Sequence, residues 1–329
     1  MRVLAAADVD ALLSPAECIE AVEDAFRRWA LRDAADPRML TLEVPGGAFN
    51  VRAAALQIGT RSYFAAKANG NFPGNRERRA LPSIQGVIAL SDGESGTPLA
   101  LMDSSRITEL RTGAATAVAA RHLARMDASS LTLIGCGAQA RGQLRSIHEV
   151  RPLARVALLD RHSGRAERLA GWVTEELGAA VTVLTEAGSP LDSDIVVTCT
   201  TATQPILTAD MVRPGTFVAA VGADNPGKHE IDPHLLRMSK VVVDGLEQCA
   251  AIGDLHRAIE AGVMRKEDVH AELGHVVARL RPGRESAEEI VVFDSTGIAL
   301  QDVVAAALVY ERAIASGRGV QVELGPTPT

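Results

Sequence analysis

Aromatic side chains are scarce in this sequence: two Trp, two Tyr and six Phe, 3% of 329 residues. A pocket or interface built on ring stacking is therefore not expected. Cysteine is scarce too. Cys18, Cys136, Cys199 and Cys249 lie far apart and form no CxxC pair. That spacing excludes a disulfide framework or a thiolate zinc site and reads as reduced thiols. Positive charge is in deficit, with 34 Lys and Arg against 41 Asp and Glu and a net charge of −7. General nucleic-acid binding needs the opposite balance. No apolar run approaches the ~20 residues of a membrane span. The opening Met1–Asp10 has no signal-peptide core, so the expectation is a cytoplasmic protein without a membrane partner. What remains is a globular composition, 47% hydrophobic and 23% charged, in a length that suggests about two domains.

The first element predicted is a helix. Ser14-Pro15-Ala16-Glu17 is a capping box with proline at the first helical position. Cys18, Val22, Ala25, Phe26 and Trp29 then recur at helical spacing, and the helix fades at Asp33–Asp36. Short extended segments follow at Phe49–Ile58, Ser62–Ala68, Gln85–Leu90 and Pro98–Met102, with a hairpin turn at Asp92-Gly93. An antiparallel sheet with a helix is expected there. From the Ala-rich helix Ile107–Arg125 onward the texture changes to alternation. Strands are predicted at Leu131–Ile134, Val156–Leu159, Val181–Leu184, Ile195–Thr198, Phe217–Val221, Val241–Val243 and Glu289–Phe293. Helices such as Arg165–Leu177 lie between them, and Ile298–Ala315 closes the series before a frayed tail at Pro326–Thr329. Such alternation means α/β architecture with a doubly wound parallel sheet.

The apolar strand Leu131–Ile134 runs into Gly135-Cys136-Gly137-Ala138-Gln139-Ala140, a GxGxxA turn that opens a helix. The first glycine permits the tight turn, the second lets backbone approach a pyrophosphate, and the small third residue lets helix pack on sheet. The helix N-terminus offers free N–H groups to the phosphates. The next strand ends at Asp160, 20 residues past Ala140, where an acid bonds the ribose hydroxyls. Asp160 favours NAD, because a carboxylate repels a 2′-phosphate. The adjoining Arg161 leaves NADP open.

Three stretches lie outside that motif. Phe64–Asn71 puts Lys67 at the end of an apolar strand against a glycine loop. Glu109–Ala115 puts Arg111 inside a helix of small residues, and Val221–Lys228 puts Asp224 just past a parallel strand. Taken alone, Lys67 and Arg52 read as surface charges, Arg111 as a snorkelling side chain and Asp224 as a turn former. Together the stretches resemble the ornithine cyclodeaminase/mu-crystallin family. So do Leu81–Gly86, Lys240–Asp244, His270–Gly274 and Phe293–Asp302, in family order over nearly the whole chain.

The resemblance implies a Rossmann domain over residues 114–297. It also implies a discontinuous α+β substrate and dimerisation domain, residues 1–113 with 298–329, and a homodimer. It assigns Lys67 and Asp224 to catalysis, and Arg38, Arg52, Lys67 and Arg111 to the substrate. The cofactor set expected is Thr112, Gly135, Gly137, Ala138, Gln139, Asp160, Arg161 and Thr200. Guanidinium forks suit a substrate carboxylate, Lys67 suits developing negative charge, and Asp224 suits an amine and its proton. Three activities stay open. One is an NAD(P)-dependent amino acid dehydrogenase or cyclic ketimine reductase, toward which Arg52 and Asp294–Asp302 tilt through likeness to the alanine dehydrogenase branch. Another is an ornithine cyclodeaminase, although Lys67–Pro73 departs from that pattern after Gly70. The third is a binding protein without turnover.

Two other features read as structural. His270, Glu272 and His275 are spaced as HxExxH rather than HExxH, so no metal is expected. Cys136 sits near a helix N-terminus, a position that lowers a thiol pKa, but no base is evident beside it and packing on the cofactor is expected.

Overall fold

The computed structural model describes residues 1–32, 34–185 and 188–324. The expected frayed tail at Pro326–Thr329 lies outside them. The chain divides into two compact units: Met1–Arg111 with the segment from Ile298 onward, and Thr112–Gly297. The boundary falls inside the helix Ser104–Leu123.

The first unit is an α+β layer pair. Its strands are β1 (Arg2–Leu4), β2 (Arg38–Val44), β3 (Gly47–Ile58), β4 (Arg61–Asn71), β5 (Ile84–Asp92) and β6 (Pro98–Asp103). From one edge the sheet runs Val320–Gln321, β1, β6, β5, β4, β3, β2, antiparallel except for β1 beside β6. The register fixes two faces. Arg52, Lys67 and Ile88 are cross-strand partners on one of them, as are Leu56 and Tyr63. The helix Ala299–Ser316 packs on β3 and β4 over this face and also against the helix Pro15–Ala30. The latter starts as its sequence dictates. The Ser14 hydroxyl accepts from Glu17 N and the Glu17 carboxylate accepts from Ser14 N, and Cys18, Ile19, Val22, Ala25 and Phe26 are buried. On the opposite face Leu40, Val51, Ala68 and Val87 form one cross-strand row and Leu42 and Phe49 another. Leu40, Leu42, Phe49, Phe64 and Val87 are exposed there.

The second unit is an all-parallel sheet flanked by helices. Its strands are β7 (Ser130–Ile134), β8 (Arg155–Leu159), β9 (Ala180–Val183), β10 (Ile195–Thr198), β11 (Thr203–Leu207), β12 (Phe217–Ala220), β13 (His229–Ile231), β14 (Lys240–Val243), β15 (Ala271–Glu272) and β16 (Val291–Asp294). The order is β9-β8-β7-β10-β12-β16-β14-β15, with β11 and β13 paired apart. Central strands such as β10 and β12 are buried at every position, which is why they read as unbroken apolar runs. The order reverses between β7 and β10, and in such sheets ligands bind at the carboxyl ends around that switch.

Several expectations change in detail. The Ala-rich helix starts at Ser104, and the Asp92-Gly93 connection is a longer loop in which Asp92 Oδ1 accepts from Glu94 N and Ser95 N. Lys67 is interior to β4, which continues to Asn71, rather than at its end. Strand β2 was not expected: it is an edge strand whose alternation is blurred because most of its residues are exposed. Among the described residues no helix is long and apolar enough to cross a membrane.

Candidate functional site

The first unit holds a buried charged cluster. Lys67, Arg111 and Arg52 are 3%, 4% and 8% exposed, and Asp302 is 1% exposed. Lys67 Nζ lies 2.8 Å from the Asp302 carboxylate and 3.4 Å from Thr108 Oγ1. Arg111 Nε is 3.0 Å from Asp302, and Arg111 Nη1 donates to Gln301 Oε1 at 2.8 Å. Arg52 is the direct cross-strand partner of Lys67. Buried charges persist only when paired, yet here one carboxylate serves both Lys67 and Arg111. Burial, and then the charges of Arg111 and Arg52, push Lys67 down to about 7 against the pull of Asp302. Burial raises Asp302, but the Lys67 and Arg111 charges outweigh it and hold the carboxyl below its ordinary value. Lys67 and Arg111 thus share one carboxylate, and the lysine titrates near neutrality.

The second unit carries the glycine turn. Gly135 has φ +104°, and a Cβ there would meet the Cys199 carbonyl oxygen and Thr200 Cγ2 at 2.8 Å. Its lack of a side chain is thus demanded by the fold itself. Gly137 differs: nothing lies within 4 Å of its would-be Cβ. Room left there suits a ligand that comes close to backbone. Ala138 is exposed, and Gln139 sits at the start of the helix Ala140–Val150 without a side-chain cap, its buried Oε1 having no hydrogen-bond partner. Asp160 accepts from Cys136 N and His162 N, both at 2.8 Å, so its carboxylate is fixed at the end of β8 with lone pairs to spare for ribose hydroxyls. Arg161 is exposed beside it. Thr200 follows β10, and Thr112 is buried in the helix Ser104–Leu123. These residues fit a dinucleotide: a turn with open backbone, helix N–H groups and a tethered acid.

Asp224 follows β12 and is half-buried. It accepts from Lys228 Nζ at 2.6 Å and Asn225 Nδ2 at 3.2 Å. Arg38 is not brought to the charged cluster. It pairs in register with Ala53, one residue out of phase with Arg52, and so lies exposed on the opposite face of the sheet. Cys136 also departs from expectation. Burial, and then the nearby Asp160, push its thiol up to about 12, so desolvation outweighs the helix end. His270 Nε2 bonds the Pro282 carbonyl at 2.8 Å, and Glu272 accepts from Leu246 N at 2.8 Å.

Sequence reading assigned no role to Asp302, Gln301 or Thr108. The available signal was the adjacent polar pair Gln301-Asp302 in the apolar run Ala299–Ala307. Such a pair on a buried helix must find partners.

The sequence model of the ornithine cyclodeaminase/mu-crystallin family matches residues 1–317. An alanine dehydrogenase from Archaeoglobus fulgidus is 39% identical over 322 residues, 98% of either chain. Among solved structures, an archaeal alanine dehydrogenase dimer with bound NAD superposes with TM-score 0.93 at 38% identity, covering 99% of both chains. The Thermococcus litoralis Δ1-pyrroline-2-carboxylate reductase in complex with NADH and L-proline gives TM-score 0.93 at 34% identity, covering 98% of this chain and 100% of that one.

Proposed function

The chain belongs to the ornithine cyclodeaminase/mu-crystallin family, and from that premise we propose an NAD-dependent oxidoreductase acting on the CH–NH2 or C=N group of a small α-amino or α-imino acid. The observation that carries this reading is the buried cluster in which Lys67 and Arg111 share the single carboxylate of Asp302. Two cations on one carboxylate leave donors that suit a second carboxylate, that of the substrate. Lys67 and Arg111 bind and orient that carboxylate, with Arg52 beside them. Asp224 holds the substrate nitrogen and the proton it gains or loses. The turn Gly135–Gln139 and Asp160 hold the dinucleotide, Thr112 and Thr200 complete its contacts, and the bound nicotinamide carries the hydride. Asp160 selects NAD. NADP would need Arg161 to turn to a 2′-phosphate.

A homodimer and a cytoplasmic location are part of the proposal. Leu40, Leu42, Phe49, Phe64 and Val87 are exposed on one face of the first sheet, which suits a second copy of the chain, and the archaeal alanine dehydrogenase is a dimer. All four cysteines are free thiols, three of them buried, as in a reducing compartment. Purified protein supplied with pyruvate plus ammonia, Δ1-pyrroline-2-carboxylate or ornithine, with NADH and ammonia followed, tests the activity. Net NADH consumption with an oxo or imino acid is expected. Proline and ammonia from ornithine without net NADH change would instead make it a cyclodeaminase, and tight NADH binding without turnover would make it a binding protein. Sedimentation as a monomer would refute the dimer.

A further inference from the structure

Glu230 is buried completely, yet it belongs to none of the groups described above. Its carboxylate meets only donors. Oε1 accepts from Thr200 N at 2.6 Å, and Oε2 accepts from Thr198 Oγ1 and Gly222 N, both at 2.8 Å. Those donors sit at the carboxyl ends of two neighbouring parallel strands, β10 and β12. One of the two loops so reached carries Thr200; the other carries Asp224, two residues past Gly222. The fit is close enough to dictate a second residue. A Cβ on Gly222 would lie 2.4–2.5 Å from the Glu230 carboxylate, nearer than any real contact, so glutamate at 230 requires glycine at 222.

The tether extends in both directions. Cys199 Sγ donates to the Gly135 carbonyl at 3.0 Å, which joins the β10 loop to the glycine turn. Glu230 itself is held from behind, because Asp254 Oδ1 accepts from Glu230 N and Ile231 N at 2.8 and 2.9 Å. His229 N donates to the Ala202 carbonyl at 2.9 Å, so β13 turns back beside the very loop that its glutamate grips. A hydrogen-bonded line thus runs from the cofactor turn, through the β10 loop and Glu230, to the loop of Asp224.

We infer that Glu230 is a positioning residue that sets the β10 and β12 loops relative to one another, and through them the cofactor contact of Thr200 and the catalytic Asp224. This rests on the roles proposed for those two residues. A charged acceptor between two backbone N–H groups bonds more strongly than a neutral one, and a site whose supports loosen loses rate steeply for small displacements. Glu230→Gln keeps the volume but turns an amide N–H toward a donor, opposing either Thr200 N or the Gly222 pair.

Titration with NADH by fluorescence, beside steady-state kinetics, reads the effect. For Glu230→Gln the NADH Kd is expected to rise at least 10-fold and kcat, per NADH site titrated, to fall at least 10-fold. A role limited to folding would lower the number of sites while leaving Kd and kcat per site unchanged, and that result overturns the inference. So does wild-type Kd and kcat in a fully folded variant. Should Glu230→Gln not fold, Gly222→Ala presses on the same carboxylate from the other side. The same two losses are then expected, and wild-type behaviour overturns the inference. Asp224→Asn run in parallel separates the two readings: turnover retained there removes Asp224 from the mechanism, whereas the effect of Glu230 on NADH Kd is read independently of Asp224.

Discussion

Asp302→Asn isolates the electrostatics of the charged cluster. The substitution keeps shape and one acceptor oxygen but removes the negative charge 2.8 Å from Lys67 Nζ. With an effective dielectric constant of about 20, two unit charges at that distance interact by about 6 kcal/mol, roughly 4 pKa units. Lys67 already lies near 7, with Asp302 the partner that holds it up. At about 7 the wild-type lysine is roughly one quarter charged at pH 7.5, and losing even a quarter of the pair energy, about one unit, leaves only a few per cent charged. A neutral amine neither binds a carboxylate nor stabilises developing negative charge well, so kcat/KM at that pH should fall roughly 10-fold, in step with the charged fraction. The assay is the pH dependence of kcat/KM for imino acid reduction. The wild type should lose activity as pH rises through about 7, and the variant's limb should lie at least one unit lower, so that the two enzymes converge toward acid. Stability gives a second readout. A lysine whose folded pKa is depressed binds fewer protons folded than unfolded, so stability rises with pH between the folded value and 10.5. In the variant that rise should begin at lower pH. A limb at the wild-type position, or a gap that widens toward acid, would show that Asp302 does not set the charge of Lys67.

Asp224→Asn should bind NADH within about threefold of wild type but lose at least 100-fold in kcat, since a general acid–base group is typically worth that much. Near-normal kcat would remove it from the mechanism. Gly135→Ala and Gly137→Ala should separate in kind. The first places a side chain at φ +104° and 2.8 Å from a carbonyl oxygen, costing about 1–3 kcal/mol in denaturant melts. The second leaves the melt unchanged but raises the NADH Kd about 10-fold or more, because only the pyrophosphate needs that space; equal effects on both readouts would contradict this. Asp254 is pushed up to about 7, first by burial and then by the charge of Glu230. Folded protein therefore binds the extra proton between the model-peptide value and about 7, and stability falls as pH rises through that window. Asp254→Asn removes this group's share of the slope, so it should gain on the wild type as pH rises through that window. A difference that shrinks with rising pH would count against a protonated Asp254.

The dinucleotide motif of the second unit is written locally. An unbroken apolar strand, a glycine turn and an acid one βα unit later are features of short segments, decided by backbone sterics and by which N–H groups a turn leaves free. They are therefore legible without knowledge of the remaining chain, as is the parallel sheet that the alternation demands. The charged cluster of the first unit is not. Arg38 and Arg52 look equivalent in the sequence, yet antiparallel register with β3 puts one opposite Ala53 and the other between Met39 and Lys67. A single residue of offset sends a side chain to the other face. Lys67 and Asp302 are 235 residues apart, and only the packing of the helix Ala299–Ser316 on β4 makes them a pair. Glu230 likewise gains its meaning from two strand ends that parallel pairing brings side by side. The sequence alone determined which chemistry was present, because residue type and local turn geometry are properties of short segments. Tertiary structure decided which charges share a partner and how far their pKa values move, because burial and pairing belong to contacts between distant segments.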